Sequence, residues 1–97
     1  MLQRAMIIGF KHKGLQTFYS TGKAKGIRPD QARRIASVLA ILDEAEGLED
    51  LSRPSLRLHE LTGDRKGIWS VSVNGPWRIT FTHEDGKFDI LNLEQYH

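Results

Sequence analysis

The apolar positions of the chain change their period about halfway along it. Residues 6–10 form a short and mostly apolar run, which predicts a first strand. Residues 11–20 then carry Leu15, Phe18 and Tyr19 at helical spacing, so a short amphipathic helix is expected there. The beginning of the chain therefore predicts one strand followed by one helix.

A second and longer helix is predicted from Pro29 to about Gly47. Proline suits the first helical turn, and the carboxylate of Asp30 suits the positive end of the helix dipole. The apolar stripe expected to face the core consists of Ile35, Val38, Leu39, Leu42 and Ala45.

After Pro54 the period falls to two, which is typical of strands with one buried face. The alternating runs are Leu56–His59, Ile68–Val73, Trp77–Thr82 and a last run that contains Phe88, Ile90 and Asn92. Turn residues at 74–76 and 84–86 separate the last three runs. Residues 93–96 are compatible with a helix that would pin the tail to the body.

Helices that precede consecutive strands predict an α+β fold, with two N-terminal helices packed on one face of a small, mainly antiparallel sheet. The other face would be open and polar. Alternation would place Arg57, His59, Arg78 and Thr80 on that open face. For a chain of 97 residues we expect a single domain over residues 1–97.

The composition limits the cellular compartments and the kinds of reaction that are possible for this protein. The sequence has no cysteine, which excludes disulfides and thiolate chemistry. No apolar run is long enough to cross a bilayer, so we expect a cytoplasmic protein without a membrane partner. The four histidines are far apart in sequence, and we therefore expect neither a metal nor another cofactor.

The formal net charge of +2 is small, but its distribution is uneven. Residues 1–34 contain eight Lys/Arg and one acid, residues 43–50 contain five acids and no base, and residues 51–81 contain five bases and two acids. Separated charge can produce a local positive field that attracts phosphates, although it can also form an ordinary solvated surface. The pattern favours a nucleic-acid ligand.

Cleavage of RNA without a metal needs a base for the 2′-hydroxyl, cations for the phosphate and an acid for the leaving 5′-oxygen. Histidine can fill either proton-transfer role, arginine can bind phosphate with two parallel donors, and an aromatic ring can stack on a base. Residues of these types are His59, Arg65, Lys66, Arg78, Tyr96 and His97. Structural interpretations remain open: His59 as a strand side chain, Arg78 stacked on Trp77, and residues 96–97 as a frayed end.

Three ordered segments of the chain form a family pattern. They are FKHKG at Phe10–Gly14, the block from Leu56 to Phe81 with its GDRKG, WSVSV and WRITF runs, and the closing LNLEQYH. Together they resemble the HigB toxins of the RelE/ParE superfamily. The resemblance covers residues 6–97, so we interpret Met1–Ala5 as an N-terminal extension.

The resemblance implies a RelE-like fold and a toxin that inhibits translation as a ribosome-dependent endoribonuclease acting on messenger RNA. It also implies a direct partner, an antitoxin of the HigA type with a helix-turn-helix domain, normally encoded just downstream. The toxin would bind operator DNA only through this antitoxin.

Position by position, the resemblance assigns a catalytic set of His59, Arg78, Tyr96 and His97. Arg78 would face the scissile phosphate, Tyr96 would stack on or orient the substrate, and His97 would act in proton transfer. The residues expected to contact RNA are Arg57, Thr62, Arg65, Lys66 and Gln95.

The sequence departs from the family pattern at Glu60, Thr62 and Gln95, where proline, lysine and aspartate are usual. The lost cation and the lost carboxylate predict weaker catalysis, which the cations of residues 57–66 would partly offset. A catalytically weakened toxin that acts through antitoxin and operator binding is therefore one alternative. The other is a non-enzymatic gyrase inhibitor of the ParE branch, whose members share the fold but lack a histidine-based site.

Overall fold

The computed structural model describes residues 6–95 and confirms the expected α+β fold. The helices are α1 (Lys13–Thr21) and α2 (Pro29–Glu44), and the strands are β1 (His59–Glu60), β2 (Ile68–Asn74), β3 (Trp77–Glu84) and β4 (Lys87–Gln95). The strands lie in the order β1-β2-β3-β4, and each neighbouring pair is antiparallel. Residues 1–5 and 96–97 lie outside the described residues. No helix within residues 6–95 is long and apolar enough to cross a membrane.

Helix α1 begins at a histidine cap. Nδ1 of His12 accepts a 3.0 Å hydrogen bond from the backbone N–H of Leu15, which satisfies one of the free donors of the first turn. Burial lowers the pKa of His12, and the neutral ring keeps the lone pair that this bond needs. The helix ends at Gly22, which has a φ of 79° and donates a 2.9 Å hydrogen bond to the carbonyl of Phe18.

Helix α2 buries the stripe that its sequence predicts. Ile35, Val38, Leu39, Leu42 and Ala45 are each at most 4% exposed. The helix ends at Glu44, before the predicted Gly47, because Ala45 already has extended backbone. Gln31 is buried as well, and its amide donates a 2.9 Å hydrogen bond to the side chain of Asn74 at the end of β2. This bond ties the start of the helix to the sheet.

The sheet is a meander whose last two turns fall where the sequence places them. Asp85 and Gly86 have φ values of 55° and 76°, as a two-residue type I′ hairpin turn requires. In the core, the rings of Phe81 and Phe88 meet edge to face with their centroids 5.3 Å apart. These contacts hold β3 against β4.

Residues 6–10 do not form the regular strand that their apolar run predicts. Ile7 and Phe10 instead make isolated parallel bridges to Phe88 and Leu91 of β4. The predicted run over residues 56–59 is also mostly wrong. A 3₁₀ turn occupies Pro54–Leu56, and the following residue, Arg57, has a left-handed φ of 49°. The strand therefore begins only at residue 59.

Strand β4 is longer than predicted and contains an irregularity. It continues through residues 93–95, where the sequence was compatible with a helix. Its pairing with β3 shifts between Thr80 and Thr82, and opposite this shift Ile90 takes a φ of 55° and is 50% exposed. The simple alternation of Phe88 with Ile90 is therefore wrong, because Leu91 takes the buried position.

Candidate active site

One face of the sheet carries rows of polar side chains. The strand register aligns His59, Ser70, Thr80 and Asn92 across all four strands. The neighbouring row consists of Ser72, Arg78 and Glu94. Directly opposed residues share a face, so His59, Arg78 and Thr80 lie together as their alternation predicts. Arg57 precedes β1 and belongs to neither row.

A cleft of about 390 Å³ opens among these side chains. It is lined by Leu61, Thr62, Arg65, Ser70, Arg78, Thr80, Glu94 and Gln95. Arg65 ends a 3₁₀ turn (Gly63–Arg65) between β1 and β2, so a loop and the sheet both contribute to the lining. Among the described lining residues, two guanidinium groups and one carboxylate give an excess of positive charge, which suits an anionic ligand.

Glu94 is the centre of the cleft's hydrogen bonds. Its two carboxylate oxygens accept bonds of 2.8 and 2.7 Å from the two terminal nitrogens of Arg65. The hydroxyl of Thr80 and the amide of Asn92 donate to the same carboxylate. The hydrogen bonds from Arg65, together with that from Thr80, lower the pKa of Glu94 to about 2 against the opposing effect of burial. The group is therefore an anion at neutral pH.

Arg78 lies in the floor of the cleft. It stands opposite Glu94 in the strand register, and its Nη1 donates a 3.4 Å hydrogen bond to the hydroxyl of Ser70. Ser70 itself is fully buried and faces His59 across β1 and β2. Ser70 therefore links Arg78, the predicted phosphate-binding residue, to His59, the predicted catalytic histidine.

His59 is half-buried and lies next to the cleft, outside its lining. Its Nδ1 is 3.3 Å from the backbone carbonyl of Arg57. When Nδ1 carries the proton and donates to this carbonyl, Nε2 has a free lone pair and can accept a proton. In that tautomer the contact with the carbonyl of Arg57 orients the imidazole ring of His59.

The structure divides the predicted RNA-contacting residues into two groups. Thr62, Arg65 and Gln95 line the cleft, whereas Arg57 and Lys66 are exposed and lie outside its lining. The predicted catalytic residues Tyr96 and His97 lie outside the described residues. Gln95, which lines the cleft, directly precedes them in the sequence.

Glu60 does not lie on the same face as His59. Successive residues of a strand point to opposite faces, and Glu60 pairs with Trp69 whereas His59 pairs with Ser70. The carboxylate of Glu60 accepts a 2.9 Å hydrogen bond from the backbone N–H of Gly67. This hydrogen bond ties the end of β1 to the loop that precedes β2.

Glu94 is the functional candidate that the sequence interpretation missed. Its partner Arg65 is 29 positions away, and no local spacing connects the two. The available signal was the closing LNLEQYH segment of the family pattern, which contains Glu94. Within residues 6–95, no three histidine or acidic side chains gather as metal ligands would.

The fold is similar to that of a chain in the YoeB–YefM complex from Staphylococcus aureus. The TM-score is 0.62 at 18% identity, and the match covers 98% of this chain and 99% of that one. A YoeB dimer from the same organism gives a TM-score of 0.61 at 16% identity over the same shares of the two chains. At such low identity the likeness shows the fold alone, which is RelE-like.

The chain belongs to the HigB-like toxins, described as RelE-like toxins of the type II toxin–antitoxin system HigB, and matches this family over residues 8–97. It is 42% identical over 92 residues to Endoribonuclease HigB of Proteus vulgaris, a match that covers 95% of this chain and 100% of that protein. It is 35% identical over 83 residues to Toxin HigB-1 of Vibrio cholerae, covering 84% and 87%. The resemblance inferred from the sequence is therefore confirmed.

Proposed function

We propose that this chain is an endoribonuclease that cuts messenger RNA on the ribosome without using a metal ion. The observation that carries the proposal is the cleft in which Arg65 and Arg78 lie on the same sheet face as His59. The similarity to a protein named Endoribonuclease HigB, over 95% of this chain, supports the same reaction. Action on translating ribosomes would place the protein in the cytoplasm.

The reaction is an attack by the RNA's own 2′-hydroxyl. A base removes the hydroxyl proton, the 2′-oxygen forms a bond to phosphorus, and the bond from phosphorus to the 5′-oxygen breaks. An acid then protonates the leaving 5′-oxygen, so the products are a 2′,3′-cyclic phosphate and a 5′-hydroxyl. Each proton transfer of this kind contributes about 10²–10⁴-fold to the rate.

The predicted catalytic residues suit these steps in distinct ways. Arg78 would bind the phosphate and stabilise the charge that gathers on its oxygens. His59 and His97 would carry the two protons, since imidazole can both accept and donate near neutral pH. Tyr96 would stack on an unpaired base and fix its position.

Purified protein added to ribosomes that carry a defined message tests this proposal. We expect new message ends that depend on the ribosome, and upstream fragments that end in a 2′,3′-cyclic phosphate. Fragments with a 5′-phosphate instead of a 5′-hydroxyl would contradict the 2′-hydroxyl mechanism. Equal cleavage of the same message without ribosomes would contradict the ribosome dependence.

Substitutions test the assignment of residues. His59→Ala and His97→Ala should each lower the single-turnover rate by about 10²–10⁴-fold. Arg78→Lys keeps the charge but cannot donate two parallel hydrogen bonds, so its rate should lie between those of the parent and Arg78→Ala. Arg33→Ala, a change at an exposed arginine of α2, serves as the matched control and should cleave normally.

The antitoxin partner is proposed to be of the HigA type, with a helix-turn-helix domain. A cationic cleft attracts acidic segments, and an amphipathic helix can dock in a groove by its apolar face. Co-expression with a HigA-type helix-turn-helix antitoxin should yield a complex that survives purification. The toxin alone should leave operator DNA unshifted in a gel, and only the complex should shift it.

A further inference from the structure

The ion pair between Arg65 and Glu94 spans the open face of the sheet. Arg65 extends from the loop between β1 and β2, and Glu94 lies on β4 at the other side of the sheet. Arg65, Thr80 and Glu94 line both the main cleft and a smaller hollow of about 70 Å³. The ion pair therefore separates two depressions of the same surface.

This ion pair has better geometry than an ordinary surface contact. Both terminal nitrogens of Arg65 are engaged, and Thr80 and Asn92 hold the acceptor carboxylate from the strands beneath. The side chain of Arg65 is nevertheless 46% exposed, so it stays accessible to a ligand while Glu94 holds it in place.

Arg65 keeps donors for a second partner. A guanidinium has five N–H donors, and the contact with Glu94 uses two of them. The other three are available to a ligand in the cleft. A long side chain that is already fixed loses less conformational entropy when it binds a phosphate.

We propose that Arg65 is a phosphate-binding residue of the cleft and that Glu94 is the residue that positions it. The inference rests on the proposed RNA-cleaving function and assigns the cleft a second cation beside Arg78. In this arrangement Glu94 aids the binding of an anion although it is itself an anion. Thr62, where the family pattern has a lysine, lines the same cleft as Arg65.

A purely electrostatic role for Glu94 predicts the opposite result. Removal of a negative charge from an RNA-binding surface should strengthen RNA binding. Loss of a positioning group should weaken it, because Arg65 would then move freely. The sign of the effect of Glu94→Gln therefore distinguishes the two roles.

The first measurement compares Arg65 variants on programmed ribosomes under single-turnover conditions. Arg65→Ala should raise the half-saturating toxin concentration about 10-fold and change the maximal rate far less. It should also reduce the slope of log affinity against log salt by about 0.7, the value for one lost phosphate contact on a single strand. Arg65→Lys keeps the charge, so it should keep the salt slope while it loses part of the affinity.

The second measurement compares Glu94→Gln with Glu84→Gln. Glu84 is an exposed carboxylate at the far end of β3, outside the lining of the cleft, so its substitution removes the same charge from another place. Glu94→Gln should raise the half-saturating concentration several-fold, whereas Glu84→Gln should leave it unchanged. Tighter binding by Glu94→Gln would overturn the positioning role.

The outcomes separate this inference from the proposed function. A parent protein that cuts no message on ribosomes would contradict the function itself. A parent that cuts normally, together with an Arg65→Ala variant of equal affinity and equal salt slope, would overturn the phosphate-binding role alone. Thermal melts show whether each variant keeps the fold. If Arg65→Ala has a lower melting temperature than the parent, the affinity and salt slope of Arg65→Lys decide instead.

Discussion

The phenol of Tyr19 donates a 2.7 Å hydrogen bond to the carboxylate of Asp43 and so joins α1 to α2. The two residues are 24 positions apart, and the bond fixes the helices relative to each other. Burial, with the hydrogen bond to Asp43 and the negative charge of that carboxylate, raises the pKa of Tyr19 to about 12.

This raised pKa predicts a loss of stability at high pH. Below pH 10, the ordinary pKa of tyrosine, the stabilising contribution is complete, and it disappears as the pH rises through about 12. Tyr19→Phe removes the titrating group together with the hydrogen bond. We expect the melting temperature of the parent to fall more steeply above pH 10 than that of the variant. Parallel curves for the two proteins would contradict the link.

The histidine cap of α1 predicts a second pH dependence, at the acid side. Burial lowers the pKa of His12 below 6.5, so the stabilising contribution is present above pH 6.5 and is lost as the pH falls through the lowered value. His12→Asn preserves a cap without a titrating group. Urea unfolding at pH 7.5 and pH 5 should show a smaller difference for His12→Asn than for the parent.

His12→Ala is the matched comparison, because it removes the cap at every pH. It should lower the free energy of unfolding by about 1 kcal/mol at pH 7.5. A free energy of unfolding of His12→Ala equal to that of the parent at pH 7.5 would show that the hydrogen bond from Leu15 to His12 contributes nothing to stability.

Addition of a cation to the cleft should strengthen RNA binding. Thr62 is exposed and lines the cleft, so Thr62→Lys places a further positive charge within reach of a bound phosphate. We expect a several-fold lower half-saturating concentration on programmed ribosomes and a salt slope steeper by about 0.7. Thr17→Lys, at an exposed position of α1, adds the same charge outside the cleft lining and should have no such effect.

The backbone at Ile90 predicts that a bulky residue is unfavourable there. A β-branched side chain at a φ of 55° is strained, whereas asparagine tolerates this region well. Because Ile90 is 50% exposed, Ile90→Asn should raise the free energy of unfolding by up to about 1 kcal/mol. Ile8→Asn changes a residue of similar exposure, 56%, without a positive φ, and should bring no gain.

The sequence predicted those parts of the fold that local chemistry determines. The buried stripe of α2 and the Asp85–Gly86 turn follow from spacing and from residues that favour one backbone conformation. The predicted strand over residues 6–10 is wrong because an apolar run does not reveal its partner, and here the partner is β4 at the other end of the described chain. At Arg57 a left-handed backbone interrupts an alternation that looked regular in the sequence.

The same limit applies to the site. The shared face of His59 and Arg78 could be predicted, because strand alternation with antiparallel pairing is enough to place them. The contact between Arg65 and Glu94 could not, because it depends on how the loop before β2 folds across two strands. Side chains that meet through tertiary structure leave no periodic trace in the sequence.

One wall of the cleft is formed by Glu94 and Gln95 at the end of β4. Protein synthesis proceeds from the N-terminus, so these are the last of the described residues to leave a ribosome. A nascent chain that has not yet released them has no anchor for Arg65 and no complete cleft. The complete cleft can therefore form only after residue 95 has emerged.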